Sequence, residues 1–309
     1  MHRGVGDDAA LLAPSPGCEL AASVDMLVAG RHFLADVDPQ KLGHKTLAVN
    51  LSDLAAMGAT PRWALLAGAL PELDARWLAA FARGFYALAD RHGVELVGGD
   101  TTAGPLNLCV TVLGEVPTGL ALTRGGAKPG DDVYISGVLG DAALALAAIT
   151  GRVRLGVDAL NLARERLETP VPRIALGTEL RGVASAAIDV SDGLTGDLGH
   201  ILEQSSAGAD IELSAVPRSP ELERLLAGAD RSVALDCLLG GGDDYELCFT
   251  APPETAHRVA QIAAQTGAAL TRIGTVTAAR GLTIRDERGA PLPALPHAFD
   301  HFASADAKR

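Results

Sequence analysis

Apolar and polar positions along the chain switch between a period near two and a period near 3.6, so strand-like and helix-like segments alternate. Residues 19–24 read as a strand. Asp38 followed by Pro39 supplies the cap and first-turn chemistry of a helix, which runs to about Met57 and stops at Gly58. Residues 63–70 are extended. Asp74 caps a second long helix ending near His92 and Gly93, and 94–97 and 106–116 read as strands. The turn-rich stretch 123–131 marks a boundary, giving an N-terminal domain over 1–124 and a C-terminal one over 125–309. Beyond it, 132–136, 184–190, 246–250, 271–276 and 282–285 have strand character. Residues 141–150, 161–168, 194–205 and 254–266 have helix character. The pattern is that of a two-domain α/β (α+β) chain without short repeats or low-complexity tracts.

Composition narrows the classes. The chain has 309 residues, is 48% hydrophobic and holds only 4% aromatics. That is enough for two domains with cores of their own. No run approaches the about 18 apolar residues of a membrane helix, and no basic region followed by an apolar stretch opens the chain. A cytoplasmic protein without a membrane partner is therefore expected. The formal charge of −12 speaks against nucleic acid as a partner. An acidic chain that binds an anion needs something to neutralise it, and a divalent metal is the usual means. The cysteines, Cys18, Cys109, Cys237 and Cys248, form no C-x-x-C pair, and Cys109 and Cys248 sit in apolar runs as buried thiols would.

The carboxylates recur in one kind of place, beside glycine or at the end of an apolar run. The instances are Gly6-Asp7-Asp8, Ser23-Val24-Asp25, Gly98-Gly99-Asp100-Thr101-Thr102, Asp189-Val190-Ser191-Asp192-Gly193 and Gly241-Gly242-Asp243-Asp244. Any one of these is ordinary turn chemistry. Five at the ends of expected strands, where open α/β sheets collect ligands, point instead to oxygen ligands for a hard divalent ion carrying phosphate. Asp25, Asp100 and Asp189 are each expected just after a strand, and Asp7 is the member of its pair that caps or turns. Asp53 lies on a helix apolar on most sides, with Asn50 on the same face. It reads either as part of a buried hydrogen-bonded pair with Asn50 or as a metal ligand. Arg124, beside Gly125 and Gly126, is a candidate phosphate contact. No P-loop is present, and Gly4-x-Gly6-x-x-Ala9 is a poor dinucleotide fingerprint, with no strand before it and two aspartates where a pyrophosphate would lie.

Taken in order, the motifs resemble the thiamine-monophosphate kinase family. They are G-x-G-D-D-A at the start, S-x-D-M-L-V-x-G-x-H-F at 23–33 and A-V-N-L-S-D-L-A-A-M-G-A at 48–59. G-G-D-T-T at 98–102, L-T-R-x-G-A-x-P-G-D at 122–131, I-D-V-S-D-G-L at 188–194 and G-G-x-D-Y-E-L at 241–247 follow. The resemblance implies the two-domain fold of aminoimidazole ribonucleotide synthetase, with a C-terminal α/β sandwich. It also implies N-terminal sheets that pair across a homodimer, and ATP in a cleft near the dimer interface. The implied reaction converts ATP and thiamine monophosphate to ADP and thiamine diphosphate with Mg²⁺.

The implied metal ligands are Asp8, Ser23, Asp25, Asp53, Asp100, Asp189 and Asp192, with Asp8, Asp53, Asp100 and Asp189 central to catalysis. Nucleotide contacts fall on Gly98, Gly99, Asp100, Arg124 and Ser191. Thiamine-side contacts fall on His32, Asp243 and Phe299. The nucleophile is a phosphate oxygen already anionic at neutral pH, so direct transfer without a phosphoenzyme or a general base is expected. Two departures stand out: Val24 replaces a usual Thr, and Asp243 replaces a usual Glu. Arg91-His92 stands where some members carry an aromatic for the adenine. Sister activities on the fold call for a reactive cysteine that Cys18 and the C-terminal sequence do not supply.

Overall fold

The computed structural model describes residues 5–299. In chain order the first elements are β1 (Cys18–Val28), α1 (Pro39–Ala56), β2 (Thr60–Leu70), α2 (Ala75–His92), β3 (Glu95–Ala103) and β4 (Asn107–Pro117). Next come β5 (Asp132–Ser136), α3 (Asp141–Ile149), α4 (Val157–Glu168), α5 (Ile174–Glu179), β6 (Ala186–Val190), α6 (Leu194–Gln204) and β7 (Gly208–Glu212). The last are α7 (Pro220–Leu226), α8 (Arg231–Leu235), β8 (Glu246–Ala251), α9 (Ala256–Thr266), β9 (Leu270–Thr277) and β10 (Gly281–Arg285). The chain divides into two compact units. The first holds residues up to 123 together with 168–183, and the second holds 124–167 and 184 onward.

The first unit is a four-stranded sheet of order β1-β4-β2-β3, with β2 and β3 parallel and the other pairs antiparallel. α1 begins where Asp38 accepts the backbone N–H groups of Gln40 and Lys41 at 2.8 and 3.1 Å, and Gly58 follows its end at φ +63°. α2 is capped in the same way by Asp74 and ends on Gly93 in the left-handed conformation. The two helices touch backbone to backbone. A Cβ on Gly43 would lie 2.0 Å from the Phe81 carbonyl oxygen, and one on Gly84 would lie 1.8 Å from that of Gln40. α5 returns from a later part of the chain, and Gly177 fits equally closely on the Ala55 carbonyl.

The strands run further than the apolar pattern indicates. β1 continues to Val28, so Asp25 lies inside a strand rather than after one. β3 carries Gly98-Gly99-Asp100-Thr101-Thr102 within it, whereas β6, with Asp189 one residue before its end, is shorter than the strand expected over 184–190. The reason is alternation. In β1, Ser23, Asp25 and Leu27 face α1, whereas Leu20, Val24 and Met26 point the other way and are 44, 57 and 53% exposed.

The second unit is a six-stranded sheet of order β10-β7-β9-β5-β8-β6, antiparallel except for β10 with β7. Its core joins Val133 and Ile135 of β5, Ile188 and Val190 of β6, Leu198 and Ile201 of α6, and Leu238 and Leu239. Tyr134 and Phe249 stack at 5.2 Å between centroids. β6 and β8 are buried along their whole length, which places the segments after β6 and before β8 at one end of a rigid layer.

Candidate active site

Within the first unit, α1 and β1 bring four of the singled-out polar groups together. The Ser23 hydroxyl donates to the Asp53 carboxylate. Asn50, one turn earlier, accepts the Asp25 backbone N–H at 2.9 Å and donates to the Thr46 carbonyl at 3.0 Å. Asn50 thus ties helix to strand, and Asp53 reaches across to Ser23. His32 accepts the Val28 N–H through Nδ1 at 3.0 Å, so the ring proton of the neutral imidazole belongs on Nε2. The buried Lys45 ammonium donates to the His32 carbonyl at 3.2 Å and steadies the same turn.

A cavity of about 780 Å³ opens in this unit. Asp8, Gly98, Gly99 and Asp100 line it, so the opening motif and the Gly-Gly-Asp motif share one space. Gly6, at φ +112°, makes the turn that precedes the aspartate pair, and Asp7 accepts the Asp8 N–H at 3.0 Å, as a turn residue does. Gly4 lies outside the described residues. Gly99 sits at φ +151° with its Cα pressed on β2, where a Cβ would lie 1.8 Å from the Leu66 carbonyl oxygen. At Gly98 a Cβ would meet only the Leu65 side chain, at 3.1 Å.

The opposite wall is aromatic. Trp77, Phe81, Phe85 and Tyr86 of α2 line the cavity, and Trp77 stacks on Phe81 at 5.3 Å. Arg91 and His92, which stand where some family members carry an aromatic, do not line the cavity. The spacing of 77, 81 and 85 along one helix face is the signal that could have found this wall.

In the second unit, Asp189 is nearly buried at the end of β6. Ser191 and Asp192 follow in a turn whose backbone N–H groups point at the buried Asp197 carboxylate, at 3.0 Å each, with Gly193 at 3.1 Å. Burial pushes the Asp197 carboxyl up to about 7, the amide bonds pull it down, and the neighbouring Asp192 charge adds to the upward shift. Asp243 donates its N–H to the Ser191 carbonyl at 2.8 Å, and Phe299 donates its own to the Asp192 carbonyl at 3.0 Å.

Two of the residues assigned to the thiamine side therefore hang directly on the segment assigned to nucleotide and metal. Asp243 and Tyr245 both have positive φ, at 69° and 51°, a conformation non-glycine residues rarely adopt and one that concentrates at functional sites. The Tyr245 hydroxyl donates to Asp243 Oδ1 at 3.0 Å. Asp244, between them, is half-buried and takes the Gly140 N–H, and desolvation holds its carboxyl well above the usual range. Arg124 is exposed. Its turn is held by Ser205, which accepts the Gly126 and Ala127 N–H groups at 3.2 and 3.1 Å.

The expected residues thus fall into two sets. Asp8, Ser23, Asp25, His32, Asp53, Gly98, Gly99 and Asp100 belong to the first unit, and Arg124, Asp189, Ser191, Asp192, Asp243 and Phe299 to the second. Among the described residues no three His, Cys, Asp or Glu side chains gather as a ready metal cage. The donors are all oxygen. Mg²⁺ characteristically takes one or two carboxylates and completes its shell with water and substrate phosphate, so the donor set fits that ion in type.

Residues 6–116 match the AIR synthase related protein N-terminal domain, and residues 128–287 the C-terminal domain of the same group. That sets the class: a two-domain protein of the AIR synthase related fold. The chain is 46% identical over 308 residues to the thiamine-monophosphate kinase of Salmonella typhimurium strain LT2, covering 98% of this chain and 93% of the relative. The crystal structure of thiamine-monophosphate kinase from Stenotrophomonas maltophilia K279a superposes with a TM-score of 0.86 at 46% identity, covering 94% of this chain and 91% of that one. AaThiL complexed with AMPPCP and TMP superposes with a TM-score of 0.81 at 29% identity, covering 94% and 89%. The chain belongs to the thiamine-monophosphate kinase family.

Proposed function

We infer that the chain transfers the γ-phosphoryl group of ATP to thiamine monophosphate, giving ADP and thiamine diphosphate. The observation that carries this is the cavity shared by Asp8, Gly98, Gly99 and Asp100, in a chain 46% identical to a thiamine-monophosphate kinase over 98% of its length. A phosphate oxygen of thiamine monophosphate forms a bond to the γ-phosphorus, and the bond from that phosphorus to the ADP oxygen breaks with its electron pair. The attacking oxygen carries no proton at neutral pH, so the chain need not supply a base. Mg²⁺, when bound, neutralises the phosphates of both substrates.

Asp8, Ser23, Asp25, Asp53, Asp100, Asp189 and Asp192 are the oxygen donors we assign to Mg²⁺ binding, each ion taking one or two carboxylates and completing its shell with water and phosphate. Gly98 and Gly99 let backbone approach the nucleotide, Arg124 and Ser191 contact its phosphates, and the α2 aromatics offer a face for the base. His32, with its proton on Nε2, donates to the thiamine-side substrate. Asp243 and Phe299 complete that side.

We assign ATP, metal and dimer contact chiefly to the N-terminal domain, 1–124; within 125–309, residues 168–183 fold with the first unit. The homodimer is supported by the exposed apolar row Leu20, Val24 and Met26 on the open face of the first sheet. No helix among the described residues is long and apolar enough to cross a membrane, and we place the enzyme in the cytoplasm. The test is purified chain with ATP, Mg²⁺ and thiamine monophosphate, scored for thiamine diphosphate by chromatography. Product that disappears with EDTA is expected, and absence of product with Mg²⁺ present would overturn the reading.

A further inference from the structure

Three successive backbone N–H groups, those of Ser191, Asp192 and Gly193, converge on a single oxygen, Oδ2 of Asp197, at 3.0, 3.0 and 3.1 Å. A run of amides turned to one point is a geometry that binds anions. Here the chain supplies the acceptor itself, from the first turn of α6, with Asp197 only 3% exposed. The carbonyls are engaged too. Those of Ser191 and Asp192 accept from Asp243 and Phe299, and that of Gly193 accepts from Gly196 and Asp197 at 3.1 and 3.0 Å. Glycines box the turn in: a Cβ on Gly193 would lie 2.6 Å from the Gly240 carbonyl carbon, and one on Gly242 would lie 2.1 Å from the Ser191 oxygen.

We propose that Asp197 is a positioning residue that fills the amide nest of 191–193, so that Ser191 and Asp192 meet their ligand through hydroxyl and carboxylate and not through backbone N–H. A phosphate entering the nest would find its three amides already donated to the Asp197 oxygen. The proposal rests on the reading above in which Ser191 and Asp192 serve the nucleotide and its metal.

The test uses full-length Asp197→Ala and Asp197→Asn, with Ser191→Ala and Asp192→Asn as references. Hydrogen exchange of the 190–194 backbone is measured beside KM for ATP, the half-saturating Mg²⁺ concentration and KM for thiamine monophosphate. Losing the three hydrogen bonds to Asp197 is expected to speed exchange about tenfold or more in Asp197→Ala and to raise the ATP and Mg²⁺ constants by a similar factor. KM for thiamine monophosphate is expected to rise less than the ATP and Mg²⁺ constants, because Asp243 and Phe299 feel the change only through the Ser191 and Asp192 carbonyls, and that difference separates positioning from a general loss of structure. Asp197→Asn keeps an acceptor oxygen and is expected to fall between. It carries both readouts if the alanine variant does not fold.

Unchanged exchange in both variants overturns the proposal. So does a lower Tm with unchanged ATP and Mg²⁺ constants. If Ser191→Ala and Asp192→Asn leave those constants unmoved, the ligand reading of the segment fails and takes the ligand half of the proposal with it. The exchange result then still decides whether Asp197 holds the turn.

Discussion

Asp53 is the residue whose surroundings say most about its use. It comes from a helix buried on most sides, accepts the Ser23 hydroxyl, and stands one turn from an asparagine that fixes the Asp25 backbone. A half-buried carboxylate placed so is suited to holding a cation. Asp53→Asn is nearly isosteric, and we expect it to leave the thermal melt within a few degrees while kcat falls by about two orders of magnitude or more. Near-wild-type turnover would remove Asp53 from the metal set. The Gly98-Gly99 pair offers a second contrast. Gly99→Ala forces a methyl onto the Leu66 carbonyl at a φ unsuited to alanine and is expected to destabilise by about 1–3 kcal/mol. Gly98→Ala only displaces a leucine methyl and is expected to cost less than about 1 kcal/mol in a urea melt. The polar residues of the site were visible in the sequence through their motifs. Asp197 was not, because its partners are backbone amides, which leave no residue type in the sequence to read.

At the scale of elements, what the chain announces is its helix ends. Asp38-Pro39 and Gly58 bracket α1, and Asp74 and Gly93 bracket α2, because caps are chemistry local to a few residues. Strand ends were less legible. Gly98 and Gly99 look like a turn, yet β3 runs through them, since neighbouring β2 approaches too closely for any side chain at 99. β7, with a single large apolar residue, and α5, only six residues long, carry too little pattern to be read without the tertiary contacts that stabilise them. The α1–α2 contact yields a prediction whose sign opposes helix propensity. Alanine at 84 would favour an isolated helix by about 0.8–1.0 kcal/mol. Its methyl would meet the Gln40 carbonyl at 1.8 Å, and backbone cannot rotate away. Gly84→Ala is therefore expected to lower stability by about 1–3 kcal/mol in a urea melt, and an unchanged or raised midpoint would contradict the close packing.

For the whole molecule, the open face of the first sheet is the surface we propose for assembly. Val24 and Met26 leave large apolar surface in water beside Leu20, on the side of β1 that does not face α1. Met26→Asp places a charge in that row without touching the α1 side. If the proposed homodimer forms through this row, the variant is expected to sediment as a monomer, and a wild-type mass would move the interface elsewhere. The discontinuity of the first unit has a consequence of another kind, in the order of synthesis. α5 seals the end of α1 by seating Gly177 on Ala55, but a ribosome makes residues 124–167 before it reaches that segment. The N-terminal sheet and both its helices emerge while the groove at Ala55 and Gly58 still lacks its cover, an interval on the order of seconds. The first unit cannot close in the order it is made. It waits, with an apolar slot open, until the chain has passed through part of its neighbour and come back.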